Sequence, residues 1–318
     1  MTDACFVPRT SRASGAVLLI AAAACLSGSA VLISASGVAP ISAGALRCGL
    51  ALAILIPLAV IEARRRGPIP RRALVLAAVG GVALGIDYSF WNVSIVEAGA
   101  GVATVLINVQ IVVLPALVWA LDRVPIPRRV WLIAPIMLIG VGLAGGVLRN
   151  DAHAPQMHGI ALGLAAGAAY ACYLYAIRRG GSDARHWPMG VLTTACATAS
   201  ATAIVIAVAT GDAELPQSGR AWLMMAALAL FGQVAALALI NRGTALLTPE
   251  VSGPLLLLPT VFAVPLAAVI LDEIPTVGQV IGCGVVLLTA WYATRQRRGV
   301  PGTARDHVAD SPRAGSDA

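Results

Sequence analysis

Polar residues in this chain are gathered into short connections, and between them apolar residues run in blocks of roughly 20, the length an α-helix needs to cross the hydrocarbon core of a bilayer. Ten blocks fit: residues 15–36, 41–61, 73–96, 99–121, 130–148, 159–177, 187–210, 222–240, 250–271 and 277–294. The pattern predicts an all-α integral membrane protein of ten transmembrane helices. It divides the chain into an N-terminal tail (1–14), a first set of five helices (15–148), a connection (149–158), a second set (159–294) and a C-terminal tail (295–318). That last tail is rich in Arg, Gly, Pro, Ser and Asp and reads as disordered.

The two sets share a pattern. Pro115-Ala-Leu-Val-Trp-Ala-Leu-Asp-Arg-Val-Pro125 is echoed 150 positions later by Pro265-Leu-Ala-Ala-Val-Ile-Leu-Asp-Glu-Ile-Pro275. Each is an apolar helix with a proline six residues before Leu-Asp, then a turn closed by a second proline. Trp91-Asn92 matches Ile240-Asn241, and Gly15 matches Gly159. Because five helices per half is an odd number, the second copy must be inverted relative to the first. Block 15–36 has the basic start and small-residue end of a cleaved leader. Cleavage would remove the partner of block 159–177, so it reads as a retained helix.

Composition agrees with the pattern: 58% of residues are hydrophobic and 12% charged, against about 25% charged in an average soluble protein. The chain has 22 Arg and no Lys. Positive residues accumulate on the cytoplasmic side of a membrane protein. With the N-terminus inside, 19 of the arginines fall in inner segments, Arg149 and Arg220 fall outside, and Arg47 lies within a span. This predicts a multi-pass protein of the plasma or inner membrane with both termini cytoplasmic. The net charge of +7 is thereby explained by topology, without nucleic acid as a partner.

Glu97-Ala-Gly-Ala-Gly-Val-Ala-Thr-Val-Leu-Ile-Asn108, running on to Pro115, Leu121-Asp122 and the glycine-rich Gly140-Val-Gly-Leu-Ala-Gly145, resembles the EamA branch of the drug/metabolite transporter superfamily. Thr248-Pro-Glu-Val and Gly282-Cys-Gly284 repeat the pattern in the second half. One departure is Asp122-Arg123 where relatives often carry Gly-Glu; Asp272-Glu273 is nearer that pattern. The resemblance implies a secondary transporter that exports a small metabolite, an amino acid or a drug-like compound by alternating access. A non-transporting membrane partner or sensor is the alternative.

Polar groups inside spans mark the candidate site, because an ionisable side chain in the bilayer needs a partner or a cavity. Arg47 and Asp87 lie at similar depths on consecutive helices, roughly 10 and 14 Å in at 1.5 Å per residue. They are expected either to form a structural ion pair or to line the pathway. Asp87, Trp91 and Ser94 fall on one helix face, with Tyr88 and Asn92 on the adjacent stripe. Asn108, Gln110, Tyr170, Tyr173, Gln233 and Asn241 add further candidate substrate-binding groups. Pro115 and Pro265 interrupt helices at equivalent positions and are candidate hinges, or static kinks. Glu97 and Glu250 are placed at helix starts, where a carboxylate also suits the dipole.

Other chemistry is disfavoured. Without lysine there is no nucleotide-binding Gly-Lys loop and no Schiff-base amine. The four histidines, His153, His158, His186 and His307, are assigned to loops or the tail, and the six cysteines show no metal or disulfide spacing. Neither enzymatic activity, nor a metal, nor a cofactor is expected. Expected partners are a small-molecule substrate, the bilayer and, if Asp87 carries it, a proton; the chain is expected to act as a monomer or homodimer.

Overall fold

The computed structural model describes residues 9–123, 128–144, 157–181, 186–247, 255–256, 258–259, 261–262 and 276–295. Among them there is helix and no strand. In chain order the helices are α1 (Arg9–Ser27), α2 (Ser29–Ser36), α3 (Pro40–Arg66), α4 (Arg71–Ala98), α5 (Ala100–Ile107), α6 (Gln110–Asp122), α7 (Arg128–Ala144), α8 (Met157–Arg179), α9 (Pro188–Thr210), α10 (Gly219–Ala227), α11 (Ala236–Ala245) and α12 (Val277–Arg295). A π-helical segment, Leu228–Ala235, joins α10 to α11.

Six helical spans among the described residues are long and apolar enough to cross a membrane: Pro40–Arg66, Arg71–Ala98, Val102–Asp122, Met157–Arg179, Pro188–Thr210 and Gly219–Ile240. Shorter apolar helices cover Ser14–Ser27, Ala134–Leu143 and Val280–Thr289. The predicted block 250–271 and its hinge Pro265 lie largely or wholly outside the described residues. Three blocks are interrupted instead of continuous. The first is divided at Gly28, the fourth at Asn108–Val109, and the eighth widens into the π-helical turn. Pro115 sits within α6; the interruption of that span lies several residues before it.

The surface is apolar and the interior holds polar groups, the distribution expected for helices bathed in lipid. On α4, Val75, Val79 and Val82 face outward while Ala77, Gly81, Leu84, Asp87 and Tyr88 are buried. On α9, Val205 and Val208 face outward, and Ala195, Ala199, Ala203 and Ala207 form a buried stripe at four-residue spacing. Small residues let backbones approach closely. A Cβ at Gly85 would lie 2.6 Å from the Ala199 carbonyl oxygen, and one at Gly163 would lie 2.7 Å from Ser94 Oγ.

The pairings of helices reflect the repeat. α3 packs on α9, α7 on α12, α4 on α8, and α1 on α11. Under the sequence correspondence, α1 matches α8, α3 matches α9, and α4 matches the α10–π–α11 span. Exchanging the two halves therefore turns the α4–α8 pairing into the α11–α1 pairing and leaves α3–α9 unchanged. The centre of the bundle lies where α3, α4, α8, α9 and the π-helical segment meet.

Gly85 and Gly142 test this packing. Gly85→Leu should lower stability by about 1–3 kcal/mol, the usual cost of overpacking, because the obstructing atoms belong to the α9 backbone. Gly142→Leu should be tolerated, since a Cβ there meets nothing within 4 Å among the described residues. Thermal unfolding of the two variants in detergent checks the contrast.

Candidate functional site

The site is built outward from Arg47. On α3, Ala43, Arg47, Ala51 and Leu55 follow at four-residue intervals and all are buried, so the guanidinium is carried into the bundle with the apolar stripe. Arg47 is 2% exposed. Its Nη2 donates to the Gly232 carbonyl at 3.0 Å, and its guanidinium carbon stands 4.1 Å from the centroid of the Tyr88 ring. Gly232 belongs to the π-helical segment, a rare geometry found disproportionately at functional sites.

A polar chain continues from there. Tyr88 Oη donates to Gln233 Oε1 at 2.9 Å, and Gln233 Nε2 donates to Cys196 Sγ at 3.3 Å. Tyr88 lies on α4, Gln233 on the π-helical segment and Cys196 on α9, so the chain crosses from the first half to the second. The surrounding side chains, Cys48, Leu55, Leu84, Tyr173 and Leu237 among them, form one apolar cluster. Tyr170 and Tyr173 stack with centroids 5.8 Å apart.

Asp87 is 1% exposed and lies within electrostatic reach of Arg47 and Tyr170. The two charges do not make the direct bridge that their similar depth suggested, and neither carboxylate oxygen has a hydrogen-bond partner among the described residues. Helical geometry supplies the reason. Tyr88 and Asp87 are adjacent on α4, and one residue turns about 100° on a helix. With Tyr88 placed under the guanidinium, Asp87 projects to the side.

The remaining candidates divide. Asn92 is fully buried, and its Nδ2 donates to the Pro40 carbonyl at 2.8 Å, tying α4 to the start of α3. Trp91 packs with Ile33, Ala43, Met225 and Leu228, and its Nε1 is buried without a partner. Asn108 caps the end of α5 and donates to the Thr104 carbonyl; Gln110, just past the interruption, has a buried unpartnered Oε1. Asn241 lies on α11, its side chain outside the described set. Among the described residues, the buried polar atoms without partners belong to Ser29, Arg47, Asp87, Trp91, Asn92, Ser94 and Gln110. They concentrate on α4 and the helices facing it.

Sequence reasoning passed over Ser29, Cys48, Cys196 and Gly232. Small residues are abundant in every span, and the only available signal was that Cys48 and Cys196 occupy nearly equivalent places in the two halves. Two placements are corrected. Glu97 ends α4 instead of starting a helix, and His158 is in the first turn of α8 instead of a loop. The two pair at 2.8 Å, joining the halves at one end of the bundle. At the other end, Asp122 accepts from Tyr175 Oη at 2.9 Å and from Arg179 Nε at 3.0 Å. Arg179 holds the Asp122 carboxylate in an ion pair.

The Tyr88–Gln233 bond can be tested directly. Tyr88→Phe leaves Gln233 Oε1 buried without its donor and should cost about 1–3 kcal/mol, whereas adding Gln233→Leu should recover much of the loss. Thermal melts of the two variants and the wild type give the comparison.

The matches to known proteins fit this arrangement. A family model described as the EamA-like transporter family matches residues 13–146 and again residues 157–295. Of the solved structures, 17 chains match. One, titled only as the crystal structure of a protein, superposes with a TM-score of 0.70 at 19% identity, covering 90% of this chain and 99% of its own. That likeness concerns the fold. No curated protein matches. With the family model spanning both halves, the chain belongs to the EamA-like transporter family.

Proposed function

We propose that this protein is a secondary transporter of the plasma or inner membrane, built from ten transmembrane helices in two inverted halves, that exports a small metabolite, an amino acid or a drug-like compound by alternating access. One observation carries the reading: Arg47, Asp87 and an aromatic floor are buried where the two halves meet, with several of their polar atoms unpartnered. Repeat-built transporters place their substrate sites at such an interface, beside discontinuous helices. Here the interruption at Gly28 precedes Ser29, which meets the π-helical segment beside Arg47, while the break at Asn108–Val109 packs on α8 at Gly167, one turn from Tyr170. Family membership points to transport instead of catalysis.

Contacts between the halves suit a rocking motion. α3 and α9 are tied at both ends. At one end Ser42 Oγ donates to the Asp212 carbonyl at 2.6 Å; at the other, Gly190 N donates to Glu62 Oε2 at 2.9 Å. That pair serves as the axis. The Asp122–Arg179–Tyr175 cluster, on the arginine-rich side, joins α6 to α8 through an exposed arginine and a half-buried aspartate and tyrosine. Ion pairs open to solvent contribute little to stability, so this one, with its guanidinium exposed, can open and reform during a cycle. Asp87, away from a direct partner, is the natural carrier if a proton is coupled. Monomer and homodimer are both compatible with the scheme.

Proteoliposomes loaded with a metabolite panel test transport. Release of at least one compound by the wild type, abolished by Asp87→Leu in folded protein, is the expected result; movement of none would favour a membrane partner or sensor. Imposing a pH gradient then tests coupling: unchanged rates would assign exchange or facilitated diffusion. For orientation, a reporter active only outside the membrane should stay silent after Thr294 and light up after Leu148. Asp122→Ala should change the transport rate while leaving thermal stability nearly unaltered.

A further inference from the structure

Arg47 is short of an anion. A guanidinium offers five donors and stays protonated in proteins, yet the structure gives this one a single hydrogen bond among the described residues, to the Gly232 carbonyl. Its Nε is buried and unpartnered. The Tyr88 ring beneath it contributes a cation–π contact but no net charge. No described carboxylate stands within ion-pair distance, Asp87 included. Asp87 is within electrostatic reach of the guanidinium but forms no ion pair with it, so most donors of a charge that this group cannot lose are left without an anion.

A second unpartnered group points to the same spot. Ser29 is 2% exposed and its Oγ has no hydrogen-bond partner among the described residues. A Cβ built on Gly232 would lie 2.8 Å from Ser29 Oγ and 3.7 Å from Arg47 Nη2. Hydroxyl and guanidinium therefore converge on the side-chain face of Gly232, where Leu228 Cδ1, 3.1 Å from the same Cβ position, supplies the apolar wall. Ser29 also opens α2, and the start of a helix favours negative charge.

We propose that Arg47 and Ser29 form the anion subsite of the central site, and that the ligand carries a carboxylate or comparably small anionic group. The planar guanidinium fork matches a carboxylate in geometry, the serine hydroxyl donates to it, and Gly232 adds no side chain of its own between them. Asp87 repels an anion from its own side, so the ligand's negative end is turned toward Arg47 and its remainder lies over the tyrosines. This inference deepens the transport reading and rests on the central site being where substrate binds.

Binding is measured apart from transport, by thermal shift and calorimetry on the full chain in a neutral, lipid-free detergent. Benzoate, benzyl alcohol and benzylamine are the probes, since they share a ring and differ in charge. Benzoate should stabilise the protein and the other two should not. Ser29→Ala should weaken benzoate binding about tenfold, the loss of one charge-assisted hydrogen bond, and Arg47→Lys should weaken it further because a point charge cannot replace the fork. If Arg47→Lys does not fold, Gly232→Ala stands in for it, its added methyl standing between the Ser29 hydroxyl and the guanidinium and weakening benzoate binding. Equal binding of benzyl alcohol and benzoate, or benzoate binding indifferent to Ser29→Ala and Gly232→Ala, would overturn the proposal. So would displacement of benzoate by added phosphatidylglycerol, which would assign the subsite to a lipid headgroup. Benzoate binding through these residues in a protein that transports nothing would leave the subsite standing and remove the transport reading.

Discussion

A permanent positive charge held in a low-dielectric bundle is the constraint around which this molecule is arranged. Arg47 reaches the interior because it shares a stripe with Ala43, Ala51 and Leu55, and once there it must be met by oxygen or by an aromatic face. α4 supplies Tyr88, and the span carrying α10 and α11 supplies the Gly232 carbonyl. A regular α-helix commits each interior carbonyl to its own ladder. The π-helical segment is the local departure that brings a backbone acceptor to the guanidinium, with Gln233 beside it holding Tyr88 in place. Helix geometry, aromatic placement and backbone irregularity thus answer one electrostatic demand.

Close packing makes that arrangement possible. In lipid, helices gain little from burying apolar surface against one another, so contact has to come from backbones that approach closely and from interhelical hydrogen bonds. The α9 alanine stripe and the glycines of α4 and α8 provide the first. Ser200 Oγ, donating to the Ala45 carbonyl at 2.9 Å, and Thr193 Oγ1, donating to the Leu55 carbonyl at 3.1 Å, provide the second. Both bind α9 to α3, the pairing that exchange of the halves leaves unchanged.

Much of this was legible in the sequence because hydrophobic blocks and repeated prolines are coarse, long signals. Arg47 and Asp87 stood out since charges in apolar blocks are rare, and both are buried at the centre. Their failure to bridge was not legible: it depends on Tyr88 occupying the face of the guanidinium, a matter of one residue's rotation on α4. The interruption at Asn108–Val109 was hidden for another reason. Pro115 offered an obvious break, but a proline with its ring accommodated can remain within a helix, whereas Asn108 ends α5 by turning its amide onto the Thr104 carbonyl. Glu97 was misplaced because Gly99, whose φ of 88° ends α4, lies two residues beyond it and the apolar pattern runs on through the turn.

The bond from Arg47 to Gly232 spans 185 positions of chain, and its consequence falls on biogenesis. As the chain is synthesised, α3 enters the membrane long before the ribosome reaches its acceptor, and α4 likewise waits for α8, as α3 waits for α9. The first half must therefore sit in the bilayer with a charged arginine and an unpaired aspartate until the second half arrives to enclose them. Quality control during assembly would then read the completion of one half by the other, and a chain interrupted between the halves would present the cell with the same exposed charges that the finished fold conceals.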